Sequence, residues 1–395
     1  MASSPIPALK VLEQSTVSPP ISSVPETSIP LSFSDLMCLN LNNVERIFFY
    51  SIPHFIKHLL PSLKTSLSLT LQHFFPLAGH VIFSPNSDGG KFQYQYKDGR
   101  LHLLQSPLKS DRGLHATWPR RRALTIELES LVPALAAGSA DATPLMAMQV
   151  TVFPSQGICL SLTINHGACD GTSAANFLKS WAATCKSGAA SAVLSTMEFS
   201  KGGFQRKGGS PLLNVCSSLC LHVDVPSPGK RVAEKPSCMV GFSGERKGSS
   251  SAGGARGILR QSFWDFWRSN AEVGELVKED GLRAAAEILG RVIDGLGDGV
   301  LRDVVDAWVE MGKIVKDERP LLVLGSPGFR FYDSDFGWGR PVKVEVVSLK
   351  NTGAMSISEG KGGGGIGIGL AAPKMEMERF SFEFAQGLHQ LLHSF

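Results

Sequence analysis

The stretch that decides the fold runs from Ile158 to Cys185. It opens with Ile158-Cys159-Leu160-Ser161-Leu162-Thr163-Ile164. It continues as Asn165-His166-Gly167-Ala168-Cys169-Asp170-Gly171 and closes on a segment with Phe177, Leu178, Trp181 and Ala182 at helical spacing. A short apolar run bounded by turn residues predicts a buried strand, and the later spacing predicts an amphipathic helix. Asp170 stands where the helix begins, as a natural N-cap, because a carboxylate there satisfies orphan N–H groups. A histidine between a strand end and a helix start is placed to face a cleft. Alone, a His-x-x-x-Asp spacing more often marks a capped helix with an incidental histidine. A metal reading lacks a third ligand, so no metal is expected. A nucleophilic Cys169 needs a base on the right side of the turn; a hydrolase built on it predicts inactivation by thiol alkylation.

Upstream, Leu145 to Phe153 predicts the hairpin partner of the Ile158–Ile164 strand. Leu9 to Val17 and Val44 to Ile52 read as strands. His54 to Phe74 reads as an amphipathic helix interrupted near Pro61. Short strands are expected at Val81–Phe83, Phe92–Tyr96 and Leu101–Leu104, with turn pairs Asp88-Gly89 and Asp98-Gly99 between them. Downstream, Leu282 to Met311 reads as a long helix or helix pair, and Arg319 to Leu324 as a strand entry. Val342 to Leu349 and Ala354 to Ser358 follow as strands. The glycine run from Gly360 to Gly365 has no helix after it, so it reads as a hairpin connection rather than a phosphate loop. Lys374 to Leu392 is a closing amphipathic helix.

Composition narrows the class. The chain has 395 residues, which suggests two to three domains, and 43% hydrophobic residues, enough for a sizeable core. A net charge of +4 is too mild for a nucleic-acid surface or a polybasic membrane patch. The seven cysteines are odd in number, and only Cys216 and Cys220 are close together, which argues against a disulfide scaffold. No run approaches the roughly 18 apolar residues of a membrane helix, and no signal sequence is visible at the start. The expectation is a cytoplasmic protein with no membrane or nucleic-acid partner.

The segment from Glu198 to Gly257 is different in kind. Its 60 residues include 11 Gly and 10 Ser, with nine Lys and Arg against four acids, the make-up of a flexible linker. The expected division is therefore 1–185, an atypical segment 186–270, and 271–395.

A second motif lies in the last part: Asp335-Phe336-Gly337-Trp338-Gly339, after Gly325-Ser326-Pro327-Gly328-Phe329-Arg330-Phe331-Tyr332. Two glycines around a Trp predict a tight loop that fixes one large side chain. By itself it is a turn with a core Trp. Together with His166-x-x-x-Asp170-Gly171, about 165 residues earlier, it resembles the BAHD acyltransferases of plants. Leu9-Lys10-Val11-Leu12-Glu13, Val17-Ser18-Pro19-Pro20, Leu31 to Asp35, Glu45 to Tyr50 and Leu69 to Gly79 extend that resemblance, as do Gly325 to Pro341 and Lys343 to Leu349. The chain is most similar to the branch that malonylates phenolic and anthocyanin glucosides.

The resemblance implies an α/β fold of the chloramphenicol-acetyltransferase-like kind, with two domains, mixed sheets and an active-site channel between them. It implies a monomeric acyl-CoA-dependent O-acyltransferase with no bound cofactor. Acyl-CoA, malonyl-CoA by preference, is the co-substrate, and a glycosylated phenolic or flavonoid is the acceptor. His166 is the general base, taking the proton of an acceptor hydroxyl as the oxygen attacks the thioester. Asp170 and Gly171 support the loop. Asp335 is commonly grouped with the histidine but is mainly structural, Gly337 and Gly339 shape its turn, and the Trp338 indole N–H is a candidate oxyanion donor.

The middle departs from the family pattern. A Tyr-Phe-Gly-Asn-Cys string is missing, as is the arginine that Asp335 pairs with. Ile258-Leu259-Arg260-Gln261-Ser262 can be encoded as ata ctt cgg caa tcn, which one base later reads Tyr-Phe-Gly-Asn. Leu213 to Ser227 permits a family-like helix in the same shifted frame. The expectation is that about 197–270 is translated out of frame and that some sequence before it is lost. The second domain is then incomplete, with Val342, Val344 and Val346 exposed, and the protein is catalytically impaired or only binds ligands.

Overall fold

The computed structural model describes residues 13–31, 33–39, 41–52, 59–84, 91–97, 101–107, 128–135, 142–153, 155–188, 218–223, 237–246, 263–272, 321–349, 354–362 and 365–393, with a few single positions between. The elements begin with β1 (Glu13–Val17), β2 (Thr27–Pro30), helix α1 (Phe33–Leu39), β3 (Val44–Ser51) and α2 (Leu59–Leu71). Strands β4 (His80–Ser84), β5 (Lys91–Tyr96), β6 (Leu101–Pro107), β7 (Ala142–Pro144), β8 (Met146–Phe153) and β9 (Gly157–Ile164) lead into α3 (Gly171–Ser187). Then come β10 (Ser218–Val223), β11 (Ser237–Arg246), β12 (Phe263–Glu272), β13 (Leu321–Leu324), β14 (Lys343–Val346), β15 (Met355–Glu359), β16 (Ile366–Leu370) and α4 (Lys374–His393).

Three sheets result among the described residues. The first has order β1-β6-β8-β9-β3-β14, the second β12-β11-β10-β13-β15-β16, and a smaller third β2-β5-β4-β7. All eight residues of β9 are buried, as expected for a central strand covered on both faces. Alternation along β3 supplies both layers. Phe48 and Tyr50 join the main core with Leu63, Leu67, Leu71, Phe177 and Trp181. Ile47 and Phe49 join a second core with Leu128, Leu131, Phe153 and Val347. Each such large side chain removed from water stabilises the fold by roughly 1.5–3 kcal/mol before entropy is counted.

The hairpin of β8 and β9 is antiparallel, from Met146 opposite Ile164 to Phe153 opposite Gly157. The connection at Gly360–Gly365 is also a hairpin: β15 and β16 pair antiparallel, and Gly360 N–H donates to Gly365 O at 3.0 Å.

Two expectations change. The strands flanking Asp98-Gly99 do not pair with each other. Strand β5 sits in the small sheet between β2 and β4, whereas β6 runs between β1 and β8. The turn pair there marks a change of sheet rather than a hairpin. The strand holding Val344 and Val346 is likewise not left open. It pairs antiparallel with β3, Val344 opposite Phe48, so Val342, Val344 and Val346 are half-buried. The back half of the chain thus supplies the edge strand of the first sheet.

The stretch expected to be atypical contributes β10, β11 and β12, which pair antiparallel in sequence order. The predicted helix over Leu282–Met311, the strand residues Leu9 to Leu12, the start of the His54–Phe74 helix and the Asp88-Gly89 turn lie outside the described residues, apart from single positions. Described helix α2 opens at Leu59, so Pro61 falls in its first turn, where a missing N–H costs little. No helix among the described residues is long and apolar enough to cross a membrane.

Candidate active site

His166 sits between β9 and α3, on a loop tied at successive backbone groups. Asn165 N–H donates to Leu145 O at 2.8 Å, and Ala168 N–H donates to Asn165 O at 2.9 Å. The Asn165 side chain turns back, its Oδ1 accepting Gly167 N–H at 2.9 Å. The Gly167 carbonyl accepts the hydroxyl of Tyr94 from β5. At the far end of the loop Asp170 is the N-cap of α3, with extended backbone and Oδ1 accepting Ser173 N–H at 2.7 Å. Loss of such a cap costs about 1 kcal/mol.

The ring that this loop holds is half-buried. Burial lowers the His166 pKa below its ordinary value of 6.5; a backbone hydrogen bond and the Asp170 carboxylate oppose that shift without cancelling it. The imidazole is therefore neutral at physiological pH, the form that accepts a proton. Cys169, by contrast, is 4% exposed. Burial, reinforced by the Asp170 charge, pushes its thiol well above the ordinary range. It is a packed side chain rather than a thiolate nucleophile.

The back half meets α3 along its whole length. Gly171, first residue of the helix, has no room for a side chain: a Cβ there would run into the ring of Phe329. Two turns on, Lys179 Nζ donates to Phe329 O at 3.2 Å. Further along, the ring of Phe336 lies 4.8 Å from that of Trp181, edge to face. At the last turn Lys186 Nζ reaches Asp335 Oδ2 at 2.7 Å. The segment from Phe329 to Gly337 is thus a strap laid parallel to the helix.

That geometry separates the two motifs. Gly171 and Lys186 are 15 residues apart on one helix, about 22 Å at 1.5 Å per residue. The Asp335 loop is at the end of α3 away from His166. Asp335 Oδ1 accepts the N–H groups of Gly337 and Gly339, both at 2.9 Å. Both glycines have positive φ, 104° and 102°, which other residues rarely adopt. Burial acts to raise the Asp335 pKa, but the hydrogen bonds from Lys186, Gly337 and Gly339 outweigh it and hold the carboxyl below the usual range.

Trp338 stacks on Phe336 at 5.3 Å and meets Tyr50 edge to face at 6.0 Å. Its indole N–H is buried and has no hydrogen-bond partner among the described residues. Lying beside Phe336 at the far end of the helix, it does not share a site with His166, so the structure does not bring the expected oxyanion donor to the base. Asp335 and Trp338 thus lie with the strap at one end of α3, and His166 stands with Asp170 and Gly171 at the other.

Several residues of this arrangement had weak sequence signals. Lys186 is the cation paired with Asp335; its position in the last turn of a helix was the available clue. Tyr94 occurs in an alternating strand and Phe329 follows a Pro-Gly turn, and neither pattern points to the loop. Arg46 of β3 lies under the strap with its guanidinium 3.8 Å from the Phe331 ring centroid. Burial lowers its pKa to about 10, with Glu359 opposing, so it stays charged.

Comparison with known proteins bears on the family and the fold. The family model described as the Transferase family matches residues 9–93, 123–216 and 274–386. The malonyl-coenzyme A:anthocyanin 3-O-glucoside-6''-O-malonyltransferase of Dahlia pinnata is 29% identical over 432 aligned positions, covering 89% of this chain and 91% of that protein. Phenolic glucoside malonyltransferase 2 of Arabidopsis thaliana is 27% identical, covering 89% and 92%. The 432 aligned positions outnumber the 395 residues of this chain, so the Dahlia protein carries internal residues with no counterpart here. Among solved structures, vinorine synthase superposes with a TM-score of 0.58 at 17% identity, over 94% of this chain and 96% of that one. TRI101 of F. sporotrichioides, solved with coenzyme A and T-2, gives 0.53 at 14% identity, over 90% and 97%. With three-quarters of its length matched and the same fold throughout, the chain belongs to the Transferase family, the BAHD acyltransferases.

Proposed function

We propose that this acyltransferase moves malonyl from malonyl-CoA to a sugar hydroxyl of a phenolic or flavonoid glucoside, with His166 as general base. The observation that carries the reading is the Asn165–Asp170 loop, which fixes a neutral imidazole between a buried strand and a capped helix. The malonyl donor and glucoside acceptor rest on the named activities of the similar plant proteins.

In the reaction, His166 accepts the proton of the acceptor hydroxyl while its oxygen attacks the thioester carbonyl. The tetrahedral adduct collapses by breaking the C–S bond. The leaving thiolate takes the proton back from the imidazolium, giving the malonyl ester and free CoA. The thioester is already activated, so no acyl-enzyme is needed. The test is release of free thiol from malonyl-CoA that depends on an added flavonoid glucoside and on His166.

A second reading, an impaired family member that binds without turnover, has its own support. The family match breaks off over 217–273, and internal residues of relatives are missing. Out-of-frame translation of about 197–270 would account for the break, though the family match itself runs on to 216, and loss of sequence just before that segment would account for the missing residues. Sequencing the transcript across 185–275 decides: codons for 258–262 that read Tyr-Phe-Gly-Asn one base on support it, and codons that do not remove it.

A further inference from the structure

We propose that Tyr94 is a positioning residue for the reaction, holding the His166 loop in its working geometry from the small sheet. This rests on the reading of His166 as the base. Tyr94 lies on β5, and its hydroxyl donates to the carbonyl of Gly167, the residue directly after His166. The Asp35 carboxylate on α1 faces the same hydroxyl and helps keep it protonated, while the single O–H proton goes to Gly167. One turn beyond Asp35, the side chain of Leu39 packs against the loop; a Cβ on Gly167 would meet it at 2.8 Å. Gly167 therefore has both backbone groups fixed, the N–H by Asn165 and the C=O by Tyr94.

The placement has a chemical consequence. His166 is attached to the structure through two peptide groups. The one on its N-terminal side belongs to the end of β9, through Asn165. The one on its C-terminal side is set by Gly167. With the tyrosine hydroxyl removed, the imidazole keeps its strand anchor and loses control of its second flank. Misplacing a base by about 1 Å costs on the order of a hundredfold in rate without changing how substrate binds. The titratable groups clustered around the loop are Asp35, Cys38, Tyr94, Cys169 and Asp170. Burial is the first cause of the raised pKa of Tyr94, Cys38 and Cys169, so the hydroxyl stays protonated and keeps its donor role at all working pH values.

The test is Tyr94→Phe in the full chain, which removes one oxygen and leaves the ring. The expected result is a fall in kcat of roughly ten- to a hundredfold, with KM for malonyl-CoA within about twofold. Asp35→Asn, which leaves the Tyr94–Gly167 bond in place, is expected to hold most of the rate. If Tyr94→Phe does not fold, Asn165→Ala, which frees the other backbone group of Gly167, tests the same control of the loop and is expected to lower kcat at an unchanged KM. If the chain shows no turnover, the readout is the ¹³C-labelled ring of His166, assigned by its loss in His166→Ala. Its titration midpoint in Tyr94→Phe is expected to rise toward 6.5 as water gains access. An unchanged kcat, or in a chain without turnover an unchanged ring titration, overturns the proposal. A dead His166→Ala with fully active Tyr94→Phe removes the positioning role alone; an active His166→Ala removes the base itself.

Discussion

Lys186 Nζ stands 2.7 Å from Asp335 Oδ2, and this contact ties the last turn of α3 to the strap of the back half. The lysine is more than half exposed, so the ion pair itself contributes little. Asp335 does more, because it also holds two glycine N–H groups. Asp335→Ala is expected to cost about 0.5–1.5 kcal/mol of stability, because both glycine N–H groups are exposed and water replaces the lost carboxylate, and Lys186→Ala less than about 1 kcal/mol. The carboxyl titrates below its ordinary 3.8 in the fold. Its contribution is therefore complete above that value and is lost as pH falls through the lower folded value. Urea unfolding from pH 6 down to 2 checks this: Asp335→Asn removes that part of the acid loss.

The other end of the strap gives a steric prediction. A methyl group on residue 171 collides with the Phe329 ring. Gly171→Ala is expected to destabilise by about 1–3 kcal/mol, the usual cost of overpacking, and to lower turnover because residue 171 opens the helix that Asp170 caps. Adding Phe329→Leu makes room and recovers part of the loss. Chemical denaturation of the two single variants and the double variant measures the coupling.

A base that must be neutral imposes a sign on the pH profile. Burial holds the His166 pKa under 6.5. The acid limb of activity is therefore expected to be centred below 6.5, where the imidazole takes up its proton. A kcat/KM profile of the free enzyme reads this directly. An acid limb centred above 6.5 contradicts the assigned environment.

Local signals were legible because they are governed by neighbours in the chain. The apolar run Ile158–Ile164, the cap at Asp170 and the helical spacing of Phe177 and Trp181 each follow from residues a few positions apart. The strand at Lys343–Val346 was legible as a strand, but its partner, β3, lies about 300 residues earlier, and alternation does not name a partner. The same limit applies to the site. His166 and Asp170 are found from spacing; Tyr94 and Phe329 reach the loop from other elements through contacts that no periodicity records. The two motifs, taken together, identify the family correctly while suggesting a proximity that one straight helix of 17 residues prevents.

The most direct measurement is thiol release from malonyl-CoA by the purified chain with a flavonoid glucoside, compared with His166→Ala at equal folded concentration. The prediction is glucoside-dependent release by the unmodified chain and a loss of roughly a hundredfold or more in the variant, the scale of a general base. Equal rates in the two proteins contradict His166 as the base.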